Sequence, residues 1–178
     1  MIAAVVLAAG AASRFGAPKQ RFLLPGVLER VRASAVDEIV VVAGAHFLEA
    51  EGTRIVECPD WERGPGASLR CGLAALPSNA RAAVVCLADG PALEPRAIDR
   101  LIAAWRGGAG TLLAASYGGE RGHPVLLARE VWGEIPDEGA RALHPVLVPC
   151  DDLGSPGDVD RADDLFEPGR SQHQAAES

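Results

Sequence analysis

Two cations follow a run of small residues in the segment LAAGAASRFGAPKQ, Leu7 to Gln20. Ala8, Ala9, Gly10, Ala11 and Ala12 let the backbone approach a ligand closely, and free amides in such a loop can hold phosphate oxygens. Arg14 and Lys19 supply the positive charge that a triphosphate needs. The spacing is not that of a Walker loop, because five residues separate Gly10 from Gly16 and Lys19 is not adjacent to Gly16. Nor is it a dinucleotide fingerprint: Ala12 and Phe15 occupy the places of its second and third glycines, which argues against an NAD-dependent oxidoreductase.

Three further segments carry candidate chemistry. In LADGP, Leu87 to Pro91, Asp89 closes an apolar run. A carboxylate at the end of a buried strand is costly unless paired or metal-bound, and Mg²⁺ on a triphosphate is commonly held by one or two of them. Asp89 is therefore the leading metal ligand, the alternative being a cap on the following turn. In GPGASLRCGL, Gly64 to Leu73, a glycine-rich turn opens a helix with Ser68 as its expected N-cap, and a helix start suits an anionic or polar ligand. In RGHPVLL, Arg121 to Leu127, His123 is either a phosphate-binding group or a structural turn residue.

These segments need a scaffold that brings them to one edge. Short apolar runs at Ile2 to Leu7, Glu38 to Val42, Arg54 to Glu57, Ala83 to Leu87, Thr111 to Ala115, Val125 to Leu127 and Pro145 to Val148 are apolar at consecutive positions, as in strands covered on both faces. Crossover helices are expected at Leu28 to Ser34, Ser68 to Leu76, Pro95 to Trp105 and Ala128 to Ile135. The pattern predicts an α/β fold, a three-layer αβα Rossmann-like sandwich with a mostly parallel sheet, in which ligands bind beyond the carboxyl ends of the strands. One domain over residues 1–167 is expected, followed by a disordered tail from Pro168 to Ser178 with almost nothing to bury.

Composition narrows the partners. The chain of 178 residues is 48% hydrophobic and only 4% aromatic, enough for a core of aliphatic strands and alanine-rich helices without disulfides. A formal charge of -7 with no Lys or Arg run argues against nucleic acid or an anionic membrane surface. Cys58, Cys71, Cys86 and Cys150 show no metal-ligand spacing and read as reduced thiols of a cytoplasmic protein. The apolar start, Met1 to Ala9, lacks a basic flank and reads as a buried first strand rather than a signal peptide.

The pattern LAAGxxxRxGxPKQ resembles the signature of nucleotidyltransferases related to the molybdenum-cofactor cytidylyltransferases and guanylyltransferases, of the nucleotide-diphospho-sugar transferase type. The resemblance spans about residues 1 to 166. It implies that Leu7, Ala8, Ala9, Gly10, Arg14 and Lys19 contact the base and triphosphate, with Gly66, Ser68 and Leu69 against base and ribose. It also implies that Gly122 and His123 line the acceptor end, and that Asp158, in GDVDRADDL, is a second Mg²⁺ ligand, with Asp160 capping a last short helix. Arg14, Lys19 and Asp89 would be the catalytic set.

The implied activity is transfer of NMP from NTP to a phosphorylated acceptor with release of pyrophosphate. Ala9 gives the opening LAAG, as in the cytidylyl-transferring branch, which favours CTP. Molybdopterin is the favoured acceptor, with a molybdoenzyme as a recipient partner; phospholactate or a sugar or lipid-precursor phosphate are alternatives. Two departures stand out: Gly90 where relatives usually carry Gln or Met, and the short RFLLPGVLE before the first helix. Both are compatible with a second class of function, a non-catalytic carrier or chaperone for a nucleotide or cofactor.

Overall fold

A computed structural model of the chain describes residues 1–9, 19–45 and 48–156. In chain order they form β1 (Ile2–Ala8), α1 (Lys19–Arg32), β2 (Glu38–Ala43), β3 (Arg54–Glu57), α2 (Pro65–Ala74), β4 (Ala82–Leu87), α3 (Pro95–Arg106), β5 (Leu112–Tyr117), β6 (Glu120–Ala128) and β7 (Val146–Pro149). The expected tail and the helix expected behind Asp160 lie outside the described residues.

The strands make one seven-stranded sheet in the order β3-β2-β1-β4-β6-β5-β7. Only β6 runs antiparallel to its neighbours. Consecutive apolar residues in β1 and β4 are buried on both faces, as a doubly covered sheet requires. Against one face, α1 and α3 pack with Val27, Leu28, Val31, Ile98 and Leu101. Against the other lie α2 and the connection from β6 to β7, through Leu69, Leu73 and Ile135.

Three expected helices are placed differently. The first begins at Lys19 and passes through Pro25, although an internal proline removes a backbone hydrogen bond. Burial of Leu23, Leu24, Val27, Leu28 and Val31 along one side offsets that loss. The second begins at Pro65 with Gly64 as its N-cap, so Ser68 is a buried interior residue and not the cap. Proline at the first helical position sets the start, because its missing N–H has no intrahelical partner there in any case.

The segment expected as a helix from Ala128 to Ile135 is instead the end of β6 and a 3₁₀ stretch, Arg129–Glu134. Ala128 still pairs with Ala82, and the Trp132 indole donates back to the Leu127 carbonyl at 3.2 Å. Part of the outer layer on that face is thus built from short 3₁₀ turns. No helix among the described residues is long and apolar enough to cross a membrane.

Helix α2 meets the sheet most closely at Gly72. A Cβ there would stand 2.5 Å from Cγ1 of Val5 and 2.7 Å from Cγ2 of Val42, both fully buried. Gly72→Ala should therefore lower stability by about 1–3 kcal/mol, as overpacking does in a close-packed core. Urea unfolding would show this as a lower midpoint with an unchanged slope.

Candidate active site

The carboxyl edge of the sheet is built around β1 and β4. Leu7 pairs with Leu87 in parallel register, and the Ala88 amide donates to the Leu7 carbonyl at 3.0 Å. The loop leaving β1 and the LADGP turn therefore start side by side. The winding direction reverses at this pair, since β2 lies on one side of β1 and β4 on the other, and such a reversal opens a crevice. Gly44, at the end of β2, closes against the same place: a Cβ there would meet the Ala9 carbonyl oxygen at 2.8 Å and Cγ of Trp61 at 2.7 Å. Leu7 is partly exposed while Ala8 and Ala9 are buried. Gly10, Arg14 and Asp158 lie outside the described residues; Lys19 is the first residue of α1.

Reversal of β6 delivers the third segment. Val85 pairs with Val125, so the first half of β6, Arg121 to His123, extends past the end of β4 on the carboxyl edge. A parallel strand would have presented its other end. The result is a cavity of about 250 Å³ lined by Leu87, Gly90, Arg121, Gly122, His123 and Pro156, among others. Asp89, partly exposed, lies two residues beyond Leu87, and Pro156 accepts the Ala92 amide at 3.1 Å.

Arg121 puts a positive charge on the wall of this cavity, and the Asp89 carboxylate acts on the same His123 with the opposite sign. Burial, then the adjacent Arg121 charge, lower the His123 value below the ordinary 6.5, while the Asp89 carboxylate pulls it the other way. His123 is therefore a neutral hydrogen-bonding group at neutral pH. Its carbonyl accepts the Tyr117 hydroxyl at 2.9 Å, and the peptide to Pro124 is cis. Gly122 sits under the Tyr117 ring, where a Cβ would come within 2.9 Å of two ring carbons. Burial pushes the Cys86 thiol, on the same wall, up to about 12.

A family model for the MobA-like NTP transferase domain matches residues 4–148, the span that contains β4, β6 and the cavity residues Leu87 to His123. The chain belongs to that family. Among solved structures, Rv0371c from Mycobacterium tuberculosis H37Rv is 31% identical, with 93% of this chain and 95% of that chain covered and a TM-score of 0.77. A second structure of Rv0371c, in complex with manganese, gives 29% identity over 93% and 96% of the two chains, with a TM-score of 0.71. Molybdopterin-guanine dinucleotide biosynthesis protein A from Archaeoglobus fulgidus shares the fold at 17% identity, covering 92% and 95%, with a TM-score of 0.68. No curated protein matches the sequence.

In this MobA-like domain the start of α2 is held from outside. The Gly66 amide donates to the Asp137 carbonyl at 2.9 Å, and a Cβ on Gly66 would fall 1.7 Å from the Pro136 carbonyl oxygen. Arg70 donates to the Ile135 carbonyl at 2.7 Å and to the Asp137 carboxylate, which Arg63 also reaches at 3.3 Å. The Arg70 hydrogen bond is the main reason the Asp137 value is lowered. Ser68 and Leu69 are buried, at 4% and 1% exposure.

Arg121, Arg70, Asp137 and Trp61 were not singled out in the sequence. Arg121 donates to the carbonyls of Ala140 and Leu143, each at 2.8 Å, and so ties the 3₁₀ turn Ala140–Ala142 to the cavity wall. An arginine two residues before His123, just ahead of the apolar half of the strand, was the available signal for it. Arg70 and Asp137 are 67 positions apart, and nothing local links them.

Two outcomes follow from these contacts. Gly66→Ala should displace the 136–137 segment and unfold at lower urea than the parent, with Gly133→Ala, where a Cβ meets nothing within 4 Å, as a neutral control. For His123, a lowered folded value means the unfolded chain binds the proton more readily, so stability falls as pH drops below about 6.5 towards the folded value. In metal-free solution His123→Gln should flatten that decline between about pH 7.5 and about pH 5.5, as measured by urea midpoints.

Proposed function

We propose that this protein transfers a nucleotidyl group from an NTP, with CTP favoured, to the terminal phosphate of a small acceptor, with molybdopterin favoured. The observation that supports this best is the parallel β1–β4 register, which sets the point where the chain leaves β1 beside the turn that carries Asp89, while antiparallel β6 brings Arg121 and His123 to the other side. An acceptor phosphate oxygen attacks the α-phosphorus; the bond from that phosphorus to the bridging β-oxygen breaks, and pyrophosphate leaves. No covalent enzyme intermediate is required.

The chain's contribution in this reading is positioning and charge. Arg14 and Lys19 neutralise the leaving pyrophosphate. Leu7, Ala8, Ala9 and Gly10 offer backbone to the nucleotide, while the start of α2 at Gly66, Ser68 and Leu69 shapes that side through its backbone. Gly122 and neutral His123 bind the acceptor, and Arg121 adds positive charge on the same wall.

The donor set suits a divalent cation of the Mg²⁺ or Mn²⁺ kind. No group of three or more acidic, histidine or cysteine ligands occurs among the described residues. A cation that keeps waters and takes substrate phosphates needs only one or two carboxylates. Asp89 would hold it, with Asp158 as the second ligand, and the ion would supply charge for the triphosphate; that Rv0371c is solved with manganese supports this. Residues 1–167 would act as one cytoplasmic domain, with a molybdoenzyme as recipient of the product.

Pyrophosphate release with CTP, GTP, ATP or UTP, against molybdopterin, phospholactate and sugar phosphates, tests the reading directly. Release that needs one NTP and one acceptor together supports it; saturable binding across the panel without release supports the carrier function instead. Asp89→Asn should reduce turnover by about 10²-fold or more, the scale seen when one electrostatic stabiliser is removed, with an unchanged circular dichroism spectrum. An Asp89→Asn enzyme with parental, metal-dependent turnover would sink the assignment.

A further inference from the structure

The amino edge of the sheet, about 20 Å from the candidate active site along the seven residues of β1, carries a second cavity. Its volume is about 630 Å³, and Arg81, Arg106, Arg129, Trp105, Ile2 and Glu130 are among its lining residues. The sheet register brings the arginines together: Ala82 pairs with Ala128, and the Arg129 amide donates to the Arg81 carbonyl at 2.9 Å. Arg106 arrives at the end of α3.

The three guanidinium groups are engaged differently. Arg129 is anchored, donating to the Ala80 carbonyl at 3.0 Å and lying 4.8 Å over the Trp132 ring. Among the described residues, the side chains of Arg81 and Arg106 form no hydrogen bond or ion pair, and Glu130 pairs with none of the three. Three like charges held around one concavity repel one another, and in a chain of formal charge -7 acidic partners are plentiful elsewhere. Trp105, half-buried against the core, adds a flat apolar wall.

We propose that this cavity is a second anion site, separate from the nucleotidyl-transfer site, that binds the polyphosphate chain of a small molecule. Guanidinium groups pair with phosphate oxygens in a fork geometry, and the volume lies within the range of small-molecule sites. The proposal stands whether or not the transfer reaction is as assigned.

The tryptophans provide the test, because Trp105 lines this cavity and Trp61 abuts Gly44 and Ala9 at the other edge. Titration of the ¹⁵N-labelled full chain with inorganic triphosphate or ATP, without divalent metal, should move the Trp105 indole signal in a saturable manner that added salt weakens. Arg81→Ser/Arg106→Ser should weaken that response tenfold or more and leave the Trp61 response and the melting temperature unchanged. Tighter binding of ATP than of triphosphate would assign the Trp105 wall to a base; equal binding would assign the site to the phosphate chain alone. A Trp105 signal unmoved at triphosphate concentrations on the order of 10 mM, where even weak sites fill, would overturn the proposal. So would a response of equal strength in the double variant.

Discussion

The parallel pairing of β1 with β4 is the constraint on which the remaining structure depends. Both strands are buried on both faces, so neither can slip along the other without exposing apolar side chains or leaving backbone groups unpaired in the core. Their register aligns Leu7 with Leu87, and this alone sets the origin of the small-residue loop beside the turn that carries Asp89. The chain winds outward from the pair in both directions, through β2 and β3 on one side and through β6, β5 and β7 on the other. Ligand chemistry gathers where that winding diverges, because the loops separate there and leave a crevice.

The antiparallel strand converts this crevice into a cavity with a charged wall. Residues at the start of β6, not its end, reach the carboxyl edge, and the long return from β6 to β7 then has to cover the sheet face. That return is pinned by arginines from both sides: Arg121 holds the carbonyls of Ala140 and Leu143, and Arg70 holds the carbonyl of Ile135 and the carboxylate of Asp137. Gly66 admits the return against α2, Gly72 admits α2 against the sheet, and Gly122 admits the Tyr117 ring against β6. Each glycine is needed where two backbones or a backbone and a ring approach too closely for a Cβ.

A second anchor fixes the far wall. Arg100 on α3 donates to both oxygens of Asp152, at 2.6 and 2.9 Å, and to the Pro149 carbonyl at 2.8 Å. The Arg100 hydrogen bond is the largest reason that Asp152 is held down to about 2. Because both groups are partly exposed, the pair serves geometry more than stability. It holds the turn Asp151–Leu153 over α3, and from there the chain reaches Ser155 and Pro156 in the cavity.

Much of this was legible in the linear sequence. Uninterrupted apolar runs such as AAVVL and AAVVCL read as doubly covered strands, and seven such runs separated by helical stretches imply a three-layer sheet. Small residues followed by Arg14 and Lys19, and Asp89 closing an apolar run, are local patterns whose chemistry follows from residue type, and they led to the family that the domain comparison bears out. The direction of β6 was not legible, because a short apolar run reads the same either way and only its partners, β4 and β5, decide. The role of Gly66 and the pairing of Arg70 with Asp137 also arose only on folding, since they join segments tens of residues apart through contacts that local spacing does not encode. Sequence determined where the strands lie and which residue types stand at their ends; tertiary structure decided which of them meet, and that Ala128 to Ile135 is not a helix, because register and strand direction are settled by burial of the whole sheet.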